Sequence, residues 1–231
     1  MANKKQTEGK DPEVMIESAI GRTEAWIMSH GRQLLIALGV AVVLVGGFYG
    51  FKYLVAVPRA EKAAGMMYVA QQQFAQDSLD LALNGDGNYA GFLEVIDTYG
   101  STPEGNLARH YAGICYLKKG DYEQALHYFG AFKPVKGVPG SLLTAQNFGL
   151  QGDAYSQLKD YEKAASMYER AAQTSENTLT APYYLKKAGL VYETLGDYAK
   201  ALAVYEKIRT DYASSMEARD IQKYIGGAEQ F

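Results

Sequence analysis

The chain has 231 residues, 23 Lys and Arg against 26 Asp and Glu for a formal net charge of −3, and 48% hydrophobic residues. That is room for about one to one and a half ordinary domains, and the mild acidity excludes a nucleic-acid binder driven by a large basic surplus. A single cysteine, Cys115, excludes an intramolecular disulfide and a cysteine-rich zinc site.

Residues 1–10 are polar and read as disordered, after which Asp11-Pro12-Glu13 has the form of a helix start. Met15, Ile16, Ala19, Ile20, Thr23, Trp26, Ile27 and His30 then recur at helical spacing, opposite Glu13, Glu17 and Glu24. A helix of about 18 residues results, with Trp26 near a bilayer, fit to lie at an interface or to dock a partner. With as many acids as bases it lacks the cationic face of a strong lipid binder, which favours a partner.

From Gln33 to Phe51 there are 19 uncharged residues, and the apolar run continues past Lys52 to Val57. At about 1.5 Å per residue this covers a hydrocarbon core of about 30 Å. A buried core helix would show a polar stripe, and a cleaved signal peptide would have a shorter apolar region and a small-x-small cleavage site. Residues 33–57 therefore read as an uncleaved transmembrane helix. Gly46 and Gly50 stand at a spacing that admits a partner helix, and Lys52 can snorkel to headgroups. Five Lys and Arg precede the span, against Lys52, Arg59 and Lys62 after it, so the amino terminus is expected in the cytoplasm and the bulk of the chain on the far side.

That bulk is built from repeats. Residues 109–129, 148–168 and 185–205 align without gaps. Each places Gly113, Gly152 or Gly189, then Tyr116, Tyr155 or Tyr192, then an Asp-Tyr pair at 121-122, 160-161 and 197-198. Ala125, Ala164 or Ala201 follows, and last Phe129, Tyr168 or Tyr205. The physical reading is two helices joined by a tight turn. The glycine lets the second helix close in, the alanine does the same from the other side, and the tyrosines fill spaces between neighbouring pairs. Asp121, Asp160 and Asp197 sit where the second helix needs an N-cap, and Asp121 with Gln124 forms a capping-box pattern. A unit of this kind buries its apolar face only by stacking on others.

These positions resemble the tetratricopeptide repeat, with no tryptophan near the start and a spacing a few residues longer than usual. A weaker fourth copy precedes them. Ala64-Gly65 and Tyr68 repeat the first-helix signature, residues 84–88 form a turn, and Tyr89, Phe92, Ile96 and Tyr99 mark a second helix. Ser214-Ser215 opens a final capping helix with Ile221, Tyr224 and Ile225 on one face.

No catalytic or metal-binding constellation stands out, and no cofactor is implied. His110 and His127 are not spaced as a ligand pair, and Cys115 lies within a first helix where a packed thiol is the ordinary outcome. Asn84-Gly85-Asp86-Gly87 lacks the spaced acids of a calcium loop. Most of the 19 tyrosines fall on repeat positions, with Tyr183 and Tyr184 less fully explained. Binding remains. In this repeat class the first helices line the concave surface, which makes His110, Ile114, Leu117, Lys118, Asp153, Gln157, Lys186, Leu190 and Glu193 the groove candidates, with Gly149, Ser156 and Thr194 beside them. Ile114 and Leu190 replace the asparagines that a clamp for a terminal carboxylate would need, so the groove suits a protein surface or an extended segment. Trp26, Gly46 and Gly50 are the candidates for docking a partner in or at the membrane.

A short start, residues 29–32 (Ser-His-Gly-Arg) just before the membrane, a Gly-rich span, and residues 59–64 leading into repeats resemble the YfgM family, ancillary subunits of the SecYEG translocon in bacterial inner membranes. The resemblance implies a non-enzymatic adaptor in contact with lipid, the translocon, a membrane-anchored periplasmic chaperone and exported clients, its repeat domain in the periplasm. A scaffold for another cell-envelope complex is the alternative. The expected fold is all-α: a cytoplasmic segment (1–32), one N-terminal transmembrane helix (33–57), and an α-solenoid of about four tetratricopeptide-like helix pairs with a capping helix (58–231).

Overall fold

The computed structural model describes the backbone of residues 12–231 and, Ala25 apart, the side chains from Glu24 onward. The polar start, the Asp11 cap and the side chains of Met15 through Thr23 lie outside the described residues. The chain divides into two compact units, Met1–Pro58 and Arg59–Phe231.

In the first unit a single helix, α1 (Pro12–Phe51), carries both the amphipathic stretch and the apolar run, with no turn between them. Among the described residues this is the one helix long and apolar enough to cross a membrane, and its apolar side chains are exposed. Aromatic residues gather at its end: Phe48 lies edge-on to Tyr49, and Tyr49 stacks on Tyr53 at 6.2 Å. A π-helical turn, Lys52–Ala56, follows, with the Val57 N–H donating to the Lys52 carbonyl. Pro58 has no N–H for the Leu54 carbonyl, and its ring crowds the preceding turn, so the wider π register falls where a proline is hardest to fit.

The second unit is a succession of helix pairs. α2 (Val57–Ala75), α3 (Leu79–Asn84) and α4 (Phe92–Tyr99) lead into α5 (Pro103–Lys119) and α6 (Tyr122–Ala131). Then come α7 (Gly140–Gln157) with α8 (Tyr161–Thr174), α9 (Ala181–Thr194) with α10 (Tyr198–Asp211), a 3-10 turn Glu217–Arg219, and α11 (Ile221–Ala228). The three clear repeats are the pairs α5/α6, α7/α8 and α9/α10. In each, an aromatic ring of the second helix stands on the glycine of the first. A Cβ built at Gly113 would lie 2.5 Å from Phe129 Cδ1, one at Gly152 would lie 2.6 Å from Tyr168 Cε1, and Tyr205 stands as close to Gly189. Ala125, Ala164 and Ala201 are fully buried at the same crossings. Asp121, Asp160 and Asp197 each accept a hydrogen bond from the backbone N–H three residues on, at 3.2, 3.3 and 3.1 Å.

Three details differ from the sequence reading. The Asp121 N–H donates to the Tyr116 carbonyl, closing the turn between α5 and α6, so Asp121 caps without the reciprocal bond of a capping box. In α2 the inward face is Ala63, Met67 and Ala70; Tyr68 is 61% exposed and no ring stands over Gly65. The short α3 supplies the packing surface instead, through Ala82 and Leu83. Finally, Ser214-Ser215 does not open the last helix. Ser215 Oγ accepts from the Ala218 N–H to cap the 3-10 turn, and α11 starts seven residues after Ser214, at Ile221.

Two apolar clusters form the core. One holds Met67, Leu83, Phe92, Val95, Ala112 and Cys115, with Phe74 and Tyr111 against Phe92. The other runs through α7 to α11, from Ala145 past Tyr168, Tyr184 and Tyr205 to Ile225. The glycine crossings set the pitch between helices, and they are sensitive to one methyl group. Gly152→Ala gains about 1 kcal/mol of helix propensity but drives a Cβ into a ring that is 3% exposed and tied by its hydroxyl, at a cost of about 1–3 kcal/mol. Gly226 of α11 has nothing within 4 Å of such a Cβ. Gly152→Ala should therefore lower the thermal midpoint of the chain in detergent and Gly226→Ala should raise it. Equal shifts would refute the steric role.

Candidate protein-binding groove

A concave surface runs along α9. Two clefts adjoin there and share Leu190, one of about 630 Å³ and one of about 400 Å³. The first is walled by Glu193 and Tyr198 of the repeat and by Lys223, Tyr224 and Phe231 opposite. In the second, Tyr183, Lys186 and Lys187 face Met216, Glu217 and Asp220. Tyr183 is 46% exposed and Met216 70%. Lys186 Nζ donates to both carboxylate oxygens of Asp220, at 2.8 and 2.9 Å, and lies 4.4 Å from the Tyr224 ring centroid. This pair joins α9 to the segment between the 3-10 turn and α11.

Of the candidates read from the sequence, Lys186, Leu190 and Glu193 line these clefts. Glu193 accepts a hydrogen bond from the Tyr205 hydroxyl at 2.9 Å. Asp153, half-buried on α7, accepts from the Tyr168 hydroxyl at 2.6 Å and from Lys187 Nζ at 2.5 Å, bridging neighbouring repeats. Gln157 is exposed and takes a long hydrogen bond, 3.5 Å, from the Tyr122 hydroxyl. Ile114 and Leu117 are half-buried on α5, and Lys118 is exposed and paired with Asp77. Trp26 is half-exposed and stacks on His30 at 4.9 Å, while Gly46 and Gly50 have no neighbour within 4 Å of a built Cβ.

His110 departs from the expectation. It is 2% exposed, between Phe129 and Phe132, with its Nδ1 3.2 Å from Asn147 Nδ2, and Asn147 in turn accepts from Gln151. Position in the repeat assigned it to the groove, but the closeness of α5 to α7 turns it inward. Gly149 is likewise buried, under the Tyr184 ring, which accounts for that tyrosine. The far wall of the groove, from Met216, Tyr224 and Phe231, lies outside the repeats and carried no repeat signature. Of its residues the sequence singled out Tyr224 alone, as part of one face of the final helix.

Among the described residues no group of three or more His, Cys, Asp and Glu can hold a metal ion. Burial pushes the Cys115 thiol up to about 12, which keeps it a protonated, packed group. Burial likewise pushes the phenols of Tyr184 and Tyr192 up to about 12.

Two tetratricopeptide-repeat family profiles match the chain, one over residues 145–178 and one over 185–215. No curated protein sequence matches it. Among solved structures, a crystal structure of MamA protein is similar in fold, with a TM-score of 0.55 and 19% identity over 74% of this chain and 82% of that one. A second crystal structure of MamA gives a TM-score of 0.48 and 18% identity over 70% of this chain and 93% of that one.

Burial lowers the His110 pKa from 6.5 to about 4. The unfolded chain takes up a proton below pH 6.5 and the folded one does not until about pH 4. Stability is therefore full above pH 6.5 and falls by about 3 kcal/mol as the pH drops to about 4. Denaturant titrations across that range should show a smaller decline in His110→Gln than in the parent; parallel declines would exclude His110 as the source. With the pairs α7/α8 and α9/α10 matched in sequence and the helix succession matched in fold, the chain carries tetratricopeptide repeats, an architecture that serves as a scaffold for protein–protein interaction.

Proposed function

We propose that the protein is a non-enzymatic adaptor anchored in the bacterial inner membrane beside the Sec translocon. Its span is 33–57, its amino-terminal segment 1–32 is cytoplasmic, and its repeat domain 58–231 meets chaperones or exported clients in the periplasm. The observation that carries the adaptor reading is the open groove along α9, lined by the exposed side chains of Tyr183, Leu190, Met216 and Phe231. The long apolar helix α1 supports the anchor, and its close-approach glycines Gly46 and Gly50 with Trp26 are the proposed contacts to the translocon. The resemblance of residues 29–32 and 59–64 to the YfgM family supports the translocon as the partner.

Affinity purification of the full chain from gently solubilised membranes tests this placement. Translocon subunits should co-purify, and should be lost when residues 1–57 are replaced by an unrelated membrane anchor. Recovery of other envelope proteins without translocon subunits would overturn the placement in favour of a scaffold for a different complex.

A further inference from the structure

A separate cleft, of about 430 Å³, opens between α2 and α4, wholly within the unit Arg59–Phe231. Its two charged side chains, Lys62 and Glu94, are exposed and opposite in sign. They form an ion pair neither with each other nor with any other described residue. Elsewhere lysines of the repeat domain close on acids, Lys118 on Asp77 and Lys186 on Asp220. Met66 and Val69, half-buried, give the cleft an apolar wall, and Tyr89 offers it a ring that is 59% exposed. Gly65 adds no bulk, and nothing lies within 4 Å of a Cβ built there. Opposite charges left open across one cleft match a ligand that carries both signs.

The place of the cleft along the chain decides what lies within its reach. Arg59 follows Val57, the end of the proposed span, by two residues of α2, at most about 3 Å of rise. Its guanidinium donates to the Thr98 carbonyl at 2.9 Å and lies 5.5 Å from the Tyr99 ring centroid. Tyr99 lines the cleft, which is thus tied to the residues next to the hydrocarbon edge. Lys62 is five residues past Val57, at most about 7.5 Å of rise. The headgroup layer is about 5–7 Å deep on each face of a bilayer, and a lysine stem spans the difference.

We infer that this cleft holds the headgroup of a zwitterionic aminophospholipid, phosphatidylethanolamine in its chemistry. Lys62 takes the phosphate, Glu94 and the Tyr89 ring take the ammonium, and Met66 with Val69 meets the glycerol and the first methylenes. A purely anionic headgroup would set its charge against Glu94, and a quaternary ammonium has no N–H to give it. The inference rests on the proposed span and is independent of the translocon.

The test is native mass spectrometry of the full chain in detergent, with dioleoyl phosphatidylethanolamine, phosphatidylcholine or phosphatidylglycerol added in turn. One phosphatidylethanolamine should be retained, with an apparent dissociation constant at least about fivefold below those of the other two. Glu94→Gln should abolish its advantage over phosphatidylglycerol, and Lys62→Gln should weaken it about tenfold. Gly65→Phe should fill the cleft with a similar loss. Gly130→Phe, at an exposed glycine of α6 that also has nothing within 4 Å, should leave binding unchanged. Equal retention of the three lipids, or equal behaviour of the Gly65 and Gly130 variants, would overturn the inference. So would competition by glycerophosphoethanolamine at the lipid's own concentration, which would make the occupant a soluble metabolite. A dimer that Gly65→Phe dissociates, with no lipid retained, would assign the cleft to a second copy of the chain and overturn it too. Flotation with phosphatidylcholine liposomes separates the two readings. Flotation without a headgroup preference removes only the cleft's ligand, and failure to float removes the span with it.

Discussion

The repeat domain depends on one steric arrangement: an aromatic ring seated on a glycine where two helices cross. Phe129 on Gly113, Tyr168 on Gly152 and Tyr205 on Gly189 fix how near the second helix of each pair can come to the first. In the latter two the ring also has a hydroxyl, and it donates to an acid on the first helix, Asp153 or Glu193. Burial and the adjacent carboxylate push both phenols far above their ordinary value, so they stay protonated as donors. The ring that spaces the helices therefore also aims a carboxylate. Asp153 so aimed meets Lys187 of the next repeat. The first repeat has a phenylalanine at this position, so α5 has no acid held in this way.

Within a repeat, most of this was legible from the sequence. Gly, Tyr, Asp, Ala and aromatic positions encode a local volume rule, since each small residue faces a large one a fixed number of residues away. What lay between repeats was less legible. His110 stands at a position that faces the groove by repeat register, yet it is buried because α7 closes over it with Asn147. In α2, Ala64-Gly65 mimics the first-helix signature without a ring to receive, and the inward face is set by Ala63, Met67 and Ala70. The groove was located through Lys186, Leu190 and Glu193 on one wall only. Its other wall comes from a segment with no repeat to compare it with.

The apolar helix shows the opposite balance. Length and absence of charge identify it, and packing adds little because its side chains are exposed. The structure adds how its end is built. Phe48, Tyr49, Phe51 and Tyr53 flank Lys52 in the sequence, and the Lys52 ammonium lies 5.5 Å from the Tyr53 ring centroid. Amphipathic rings and a snorkelling lysine are the groups that settle at a headgroup boundary. The π-helical turn falls at the same place.

The polar seam of His110, Asn147 and Gln151 lies between the two apolar clusters. The two clusters share no buried residue, and at the seam, within the one compact unit Arg59–Phe231, Phe129 and Phe132 pack on the buried His110. Opening α10 and α11 uncovers Tyr205 and Ile225 but takes no apolar contact away from Phe92 or Leu83. The far wall of the α9 groove, from Met216 to Phe231, therefore rests on the cluster that holds Tyr205, Ile221 and Ile225 and not on the one around Phe92.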